Sequence, residues 1–212
     1  MKITYKKGKG DKVHISIDGE YTMTVDEIFF FSLGIKENQE MTSSEWNELA
    51  ERIGERRAYN CAVSLLSRRD HTRKEIENKL NLKGYGKFAG AVTDKLQSQG
   101  YLDDERFARL YVRELINLKG YGRRRINDEL YRKGVDREII REVLSETEIP
   151  EGRLVEMINK KYYRYLDSEK GVQKTINALM RLGYSYGEIK DALREISDGC
   201  DENDDFYEVA DE

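Results

Sequence analysis

One proline, two cysteines, two histidines and one tryptophan are scarce residues for a chain of 212, and each scarcity closes off a class of protein. Cys61 and Cys200 lie far apart with no C-x-x-C spacing around either, which excludes a disulfide framework and a cysteine zinc site. His14 falls in a predicted strand and His71 beside a predicted helix start. Neither has a partner at metal-ligand spacing, so hydrolytic and metal chemistry lack their usual residues. No phosphate-cradling G-x-x-x-x-G-K-[ST] occurs. The loose G-x-G-x-x-A of Gly84, Gly86 and Ala89 follows a predicted helix instead of a strand, which removes the context for dinucleotide binding. No run approaches the ~18 to 20 apolar residues that cross a bilayer, the longest cluster being Ile28 to Phe31. The start at Met1 is basic but lacks the apolar region of a secretion signal. These absences predict a cytoplasmic protein with no membrane span, no cofactor and no metal.

Charge is plentiful and unevenly spread. Charged residues make up 37% and apolar residues 38%, a balance that suits amphipathic helices with broad solvated faces. Residues 1 to 54 carry 7 basic and 10 acidic residues, 55 to 146 carry 21 and 15, and 147 to 212 carry 9 and 16. Eight of those last acids, with no base among them, fall in residues 198 to 212. The pattern is a basic body with an acidic tail. The tail is expected to be disordered and solvated, or to compete with an anionic partner for the body.

A repeat organises the body. Ala58, Ala108 and Ile158 stand fifty residues apart, and Ala62, Val112 and Tyr162, then Leu66, Ile116 and Leu166, keep the register. A second face follows in Ile76, Ile126 and Ile176 with Leu80, Leu130 and Met180, each pair four residues apart as one helical face requires. After glycine breaks at Gly84, Gly134 and Gly183, a third face appears at Val92/Leu96, Ile140/Leu144 and Ile189/Leu193. The reading is helix, helix, helix, three times over. Thr72 with Glu75 forms a capping box before the second helix of the first copy, and Asp103 and Asp104 read as helix caps, not as an acid/base pair. Units this small bury little alone, so stacking into an elongated, curved array is expected.

Ahead of the repeats, residues 2 to 6, 12 to 18 and 20 to 25 alternate polar and apolar side chains, with a tight turn at Asp18 and Gly19. Val25 to Leu33 reads as a short helix ended by Gly34. Thr42 to Glu45 is an N-cap for a helix through Trp46, Leu49 and Ile53 that leads into the first repeat. The expected organisation is a β-rich module and linker helix over 1–54, three-helix repeats over 55–102, 103–149 and 150–197, and the acidic tail over 198–212.

Basic residues gather at one repeat position, where the second helix opens: Arg73 and Lys74 in the first copy, Arg123, Arg124 and Arg125 in the second, Lys174 in the third. Cations at a helix N-terminus oppose the macrodipole at a cost of a few tenths of a kcal/mol, so something else favours them. A stacked array would align these starts, and with the helix amides they would meet phosphates or an acidic surface; the plain alternative is a solvated charged face. Tyr85, Tyr121, Tyr131, Tyr163, Tyr184 and Tyr186 lie near these positions, as packing residues or as stacking platforms.

The run Gly100-Tyr101-Leu102-Asp103-Asp104-Glu105-Arg106-Phe107-Ala108 resembles the signature of the bacterial RecX family, regulators of the RecA recombinase. Arg73 to Leu80 is similar to the family's basic first-repeat helix, and Gly122 to Ile126 with Leu130, Lys133 and Gly134 to its second-repeat motif. The third copy departs, with Gln173 where the others carry Arg. The resemblance covers residues 55 to 197. It implies a mainly α, non-enzymatic protein that binds the RecA filament, with single-stranded DNA reached through it, and that modulates, mostly by inhibition, recombinase, ATPase and coprotease activities in DNA repair and the SOS response. A monomer is expected. Arg73, Lys74, Arg123, Arg124, Arg125 and Lys174 are the expected partner- or DNA-binding residues. Two rivals remain open from the residues themselves: a helical module that binds DNA without RecA, and a general helical-repeat scaffold.

Overall fold

The structure, a computed structural model, describes residues 1–150 and 152–204. Three antiparallel strands, β1 (Ile3–Lys7), β2 (Lys12–Ile17) and β3 (Glu20–Asp26), pair in the order β1-β2-β3. The alternation foreseen in the sequence puts Ile3, Val13, Ile15 and Val25 on one buried face. Helix α1 (Glu27–Ser32) starts at Asp26, whose carboxylate accepts from the Phe29 amide, and lays Phe30 on that face.

Helix α2 (Ser43–Leu66) opens with a full capping box. The Thr42 hydroxyl accepts from the Glu45 amide at 3.2 Å and the Glu45 carboxylate accepts from the Thr42 amide at 2.8 Å. These bonds hold the Glu45 carboxyl below its usual range. The helix crosses residues 54 and 55 without a break and serves two cores. Leu49 and Ile53 complete the β module, while Ala58 and Ala62 enter the core of α3 (Arg73–Leu82) and α4 (Ala89–Ser98) with Ile76, Leu80, Val92 and Leu96.

The chain forms two compact units. The first is Met1–His71 with Ile76–Leu102; the second is Thr72–Glu75 with the chain from Asp103 onward. In the second, α5 (Asp104–Glu114) is capped by Asp103, which accepts from the Arg106 amide at 2.8 Å, and it runs into one wide π turn, Leu115–Lys119, before a left-handed Gly120. Helices α6 (Arg123–Arg132) and α7 (Arg137–Glu146) close this core around Ala108, Val112, Ile126, Leu130 and Ile140. Helices α8 (Arg153–Lys161), α9 (Glu169–Arg181) and α10 (Tyr186–Asp204) close another around Ile158, Leu179, Tyr184 and Ile189. Three three-helix cores and a small sheet make a mainly α fold.

The third copy corrects the expected register. On its second helix Thr175 and Leu179 take the buried positions, whereas Ile176 is only half-buried and Met180 is 45% exposed. The cause is one residue fewer between Ile158 and the second helix, which places Gly183 forty-nine residues after Gly134. Helix α8 also ends at Lys161, short of the expected Leu166, and a single 3-10 turn, Tyr163–Tyr165, follows. Gly171 lies against the Tyr165 carbonyl, and Ser168 caps the Gly171 amide at 3.2 Å, so α9 begins early and is thirteen residues long. The expected disordered tail is corrected in its first part, since α10 carries residues 198–204; the remainder lies outside the described residues.

Gly84, Gly134 and Gly183 end the three second helices with φ of +81°, +77° and +94°. Their surroundings differ. A Cβ on Gly84 meets open space, on Gly134 the Lys74 side chain, and on Gly183 the Arg125 backbone. Alanine at each position bears the left-handed penalty of roughly 1–2 kcal/mol. Urea unfolding is therefore expected to rank Gly183→Ala as the most destabilised, then Gly134→Ala, then Gly84→Ala; equal losses would show that the close approaches carry no weight.

Tyr184 is 4% exposed, and its hydroxyl donates to the Gly120 carbonyl at 3.2 Å. Burial pushes its phenol above the usual value of 10. The folded state therefore holds this proton after the unfolded chain releases it, and the associated stability, complete below pH about 10, is lost as pH rises through the folded value. Tyr184→Phe is expected to flatten the alkaline fall in unfolding free energy, and an unchanged slope would contradict the assignment.

Candidate functional site

The second unit contains all six basic residues singled out in the sequence, and their settings separate them. At the start of α3 the Arg73 amide donates to the Asp104 carboxylate at 2.8 Å, and the Thr72 hydroxyl donates to the Lys133 carbonyl at 2.6 Å while accepting from the Glu75 amide at 3.1 Å. Lys133 Nζ pairs with the Glu75 carboxylate at 2.8 Å. The expected capping role of Thr72 is present, and it also fastens the turn that follows α6. Arg73 is half-buried and Lys74 exposed.

The start of α6 receives the turn that follows α9 in a corresponding way. The Gly122 amide donates to the Leu182 carbonyl at 2.8 Å and the Arg124 amide to the Gly183 carbonyl at 3.3 Å. A Cβ on Gly122 would lie 2.6 Å from the Gly183 carbonyl, so this approach needs glycine. These carbonyls supply the negative partial charge that a helix N-terminus attracts. The expectation that the amides join the cations in holding phosphate is thereby narrowed at α3 and α6, where the Arg73, Glu75 and Arg124 amides already have acceptors within the protein.

Arg123 extends across to the end of α7, donating to the Leu144 carbonyl at 2.5 Å and the Thr147 carbonyl at 2.7 Å. A cation there sits at the negative end of a helix, a favourable place that the start of α6 does not provide. Arg125 pairs with Glu129 at 2.9 Å and covers the Tyr121 ring at 5.5 Å, with its Nε buried and unpartnered. Arg124 is exposed and has no described side-chain partner. Lys174 is also exposed, but it sits in the second turn of α9, because that helix begins at Glu169; its expected place at the helix start is corrected. Arg153, not singled out from the sequence, repeats the Arg123 device by donating to the Ile116 carbonyl and, at 3.2 Å, to that of Asn117.

A second feature escaped the sequence. Helices α6 and α7 border a hollow of about 690 Å³ in which Arg123, Asn127 and Tyr131 follow at four-residue steps on one side and Arg137 and Arg141 on the other. Its signal in the sequence is the pair Arg137 and Arg141, four apart on one helix and outside the repeat position at which the second helices open. Among the described residues no group of three or more His, Cys, Asp or Glu is placed to hold a metal, and no helix is long and apolar enough to cross a membrane.

These placements separate a structural arginine from a free one. Arg123→Ala is expected to lower the unfolding free energy by about 1 kcal/mol, the usual net worth of such bonds, and Arg124→Ala to leave it unchanged within about 0.5 kcal/mol. Chemical denaturation of the two variants checks this, and equal losses would mean that the α7 clamp is not what holds Arg123.

Residues 58–87 match the RecX first three-helix domain and residues 103–144 the RecX second three-helix domain. A regulatory protein RecX from Caldanaerobacter subterraneus subsp. tengcongensis is 37% identical over 189 residues, 89% of this chain and 95% of the relative. Another from Clostridium acetobutylicum is 30% identical over 204 residues, 92% of this chain and 94% of the relative. A crystal structure of a regulatory protein RecX superposes with a TM-score of 0.68 at 25% identity, covering 89% of this chain and 97% of its own. Likeness over nearly the whole length, with both three-helix domains in their places, shows that the chain belongs to the RecX family.

Proposed function

We propose that this chain is a cytoplasmic, monomeric regulator of the RecA recombinase that binds the RecA–DNA filament and lowers its recombinase, ATPase and coprotease activities. The observation that carries the reading is the 37% identity to a regulatory protein RecX over 95% of that relative. The chain acts by binding. A ligand shifts an equilibrium only by its differential affinity for the two states, so the regulator must prefer one state of the filament. Several modest contacts spread over a repeated partner supply that preference, because they add on a filament and not on a single free subunit.

Arg73, Lys74, Arg123, Arg124, Arg125 and Lys174 are the proposed contact set, toward RecA carboxylates or filament DNA. Arg124 and Lys174 lead it, since both are exposed and neither has a described side-chain partner. Arg123 and Arg125 join through whatever their guanidiniums leave free beyond the α7 carbonyls and Glu129.

ATP hydrolysis by preformed RecA filaments on single-stranded DNA is the direct test. Substoichiometric inhibition by this protein is expected, and the double variant Arg124→Glu, Lys174→Glu is expected to need about tenfold more protein for the same effect, with its thermal unfolding unchanged. Unaltered hydrolysis beside retained binding to naked DNA would overturn the proposal in favour of a DNA-binding module that acts without RecA.

A further inference from the structure

The hollow between α6 and α7 is built as two facing ridges. On α6 stand Arg123, Asn127 and Tyr131, and on α7 Arg137, Arg141 and Ser145, each set at four-residue steps so that its members share one helical face. The ridges run in opposite senses. Tyr131 at the end of α6 meets Arg137 at the start of α7, ring to guanidinium at 5.5 Å, and Arg123 at the start of α6 meets the Leu144 and Thr147 carbonyls at the end of α7. Arg123 is thus committed to closing one end. Arg137 and Arg141 are exposed, and Arg141 has no described side-chain partner. The one carboxylate on the lining, Asp128, leaves the hollow net positive. Ile140 and Leu144 form an apolar floor.

We infer that this hollow is a binding groove for a single strand of nucleic acid. Tyr131 is 57% exposed and the Arg137 guanidinium lies over one face of its ring, so aromatic surface stands in water beside a cation, where an unpaired base can stack irrespective of its identity. Arg137 and Arg141, one helical turn apart on the facing ridge, offer charge for consecutive phosphates, and the Asn127 amide and Ser145 hydroxyl offer partners for base edges or sugar. A duplex keeps its bases stacked on each other and is read by a protruding element placed in its groove, whereas this surface is concave. An acidic peptide would use the arginines and leave the tyrosine without a role. The inference goes beyond the regulator reading by naming a strand and a place for it.

The test needs no RecA, so its failure and that of the regulator reading are distinguishable. Fluorescence anisotropy of a labelled 20-residue oligothymidylate at low salt reads binding by the whole protein. Tyr131→Ala is expected to weaken binding about tenfold, Tyr131→Phe to restore it, and Arg141→Gln to lower the slope of log affinity against log salt by about 0.7. Both side chains lie at the surface, and far-ultraviolet circular dichroism and thermal unfolding of the three variants should match the unsubstituted protein. Wild-type affinity in Tyr131→Ala and Arg141→Gln would overturn the inference. So would a duplex of equal length bound as tightly and weakened equally by both variants, or an oligoglutamate that displaces the strand as effectively as unlabelled oligothymidylate.

Discussion

The second unit depends on one contact made twice: the turn after a second helix, at Lys133–Gly134 or Leu182–Gly183, is hydrogen-bonded to the start of another second helix, at Thr72–Glu75 or Gly122–Arg124. A helix N-terminus carries four amides without intrahelical partners, and the carbonyls that close a left-handed turn face outward. Joining the two satisfies both at once. The two versions solve the spacing differently. Thr72 inserts a hydroxyl between backbone and carbonyl, while Gly122 brings backbone onto backbone, which is why one position tolerates a side chain and the other has no room for a Cβ.

The same contact reinterprets the cations. Arginines at the start of α6 looked anomalous against the macrodipole, and an external anion was the natural explanation. The carbonyls of Leu182 and Gly183 already meet the positive end of the helix, and Arg123 and Arg125 find internal acceptors, one at the end of α7 and one at Glu129. Of the three arginines at the start of α6, Arg124 is the one without a described side-chain partner. A net charge counted along a segment therefore overstates the charge offered to solvent, because part of it is spent in holding the helices.

Most of the fold was legible because it follows from periodicity and turn chemistry. The strands, the Thr42 box, the Asp103 cap and the glycine ends of the second helices are local features, and their boundaries fell within a few residues of the observed ones. The third copy departs from its expected register for a reason equally physical. A period of fifty fits Ile158, but the missing residue sits in the connection before α9, where no apolar pattern constrains length, so every later position shifts by one and Leu179 takes the place expected of Met180. The site was less legible. Which of three successive arginines turns inward is decided by carbonyls at Leu144 and Thr147, more than twenty residues away, and nothing in the run itself encodes that.

The slip in the third copy also shows which features of a repeat are constrained. Helix α8 is short, α9 starts early and the loop between them is rebuilt around Gly171, yet Gly183 keeps its left-handed conformation and its contact with the start of α6. The first helix and its connection have changed freely while the docking turn has not. In a chain built from small cores that each bury few residues, the bonds between neighbouring copies contribute alongside each core, and a change is tolerated when it leaves those bonds in place. Arg124, Arg141 and Lys174 lie outside this contact, on the exposed faces of α6, α7 and α9.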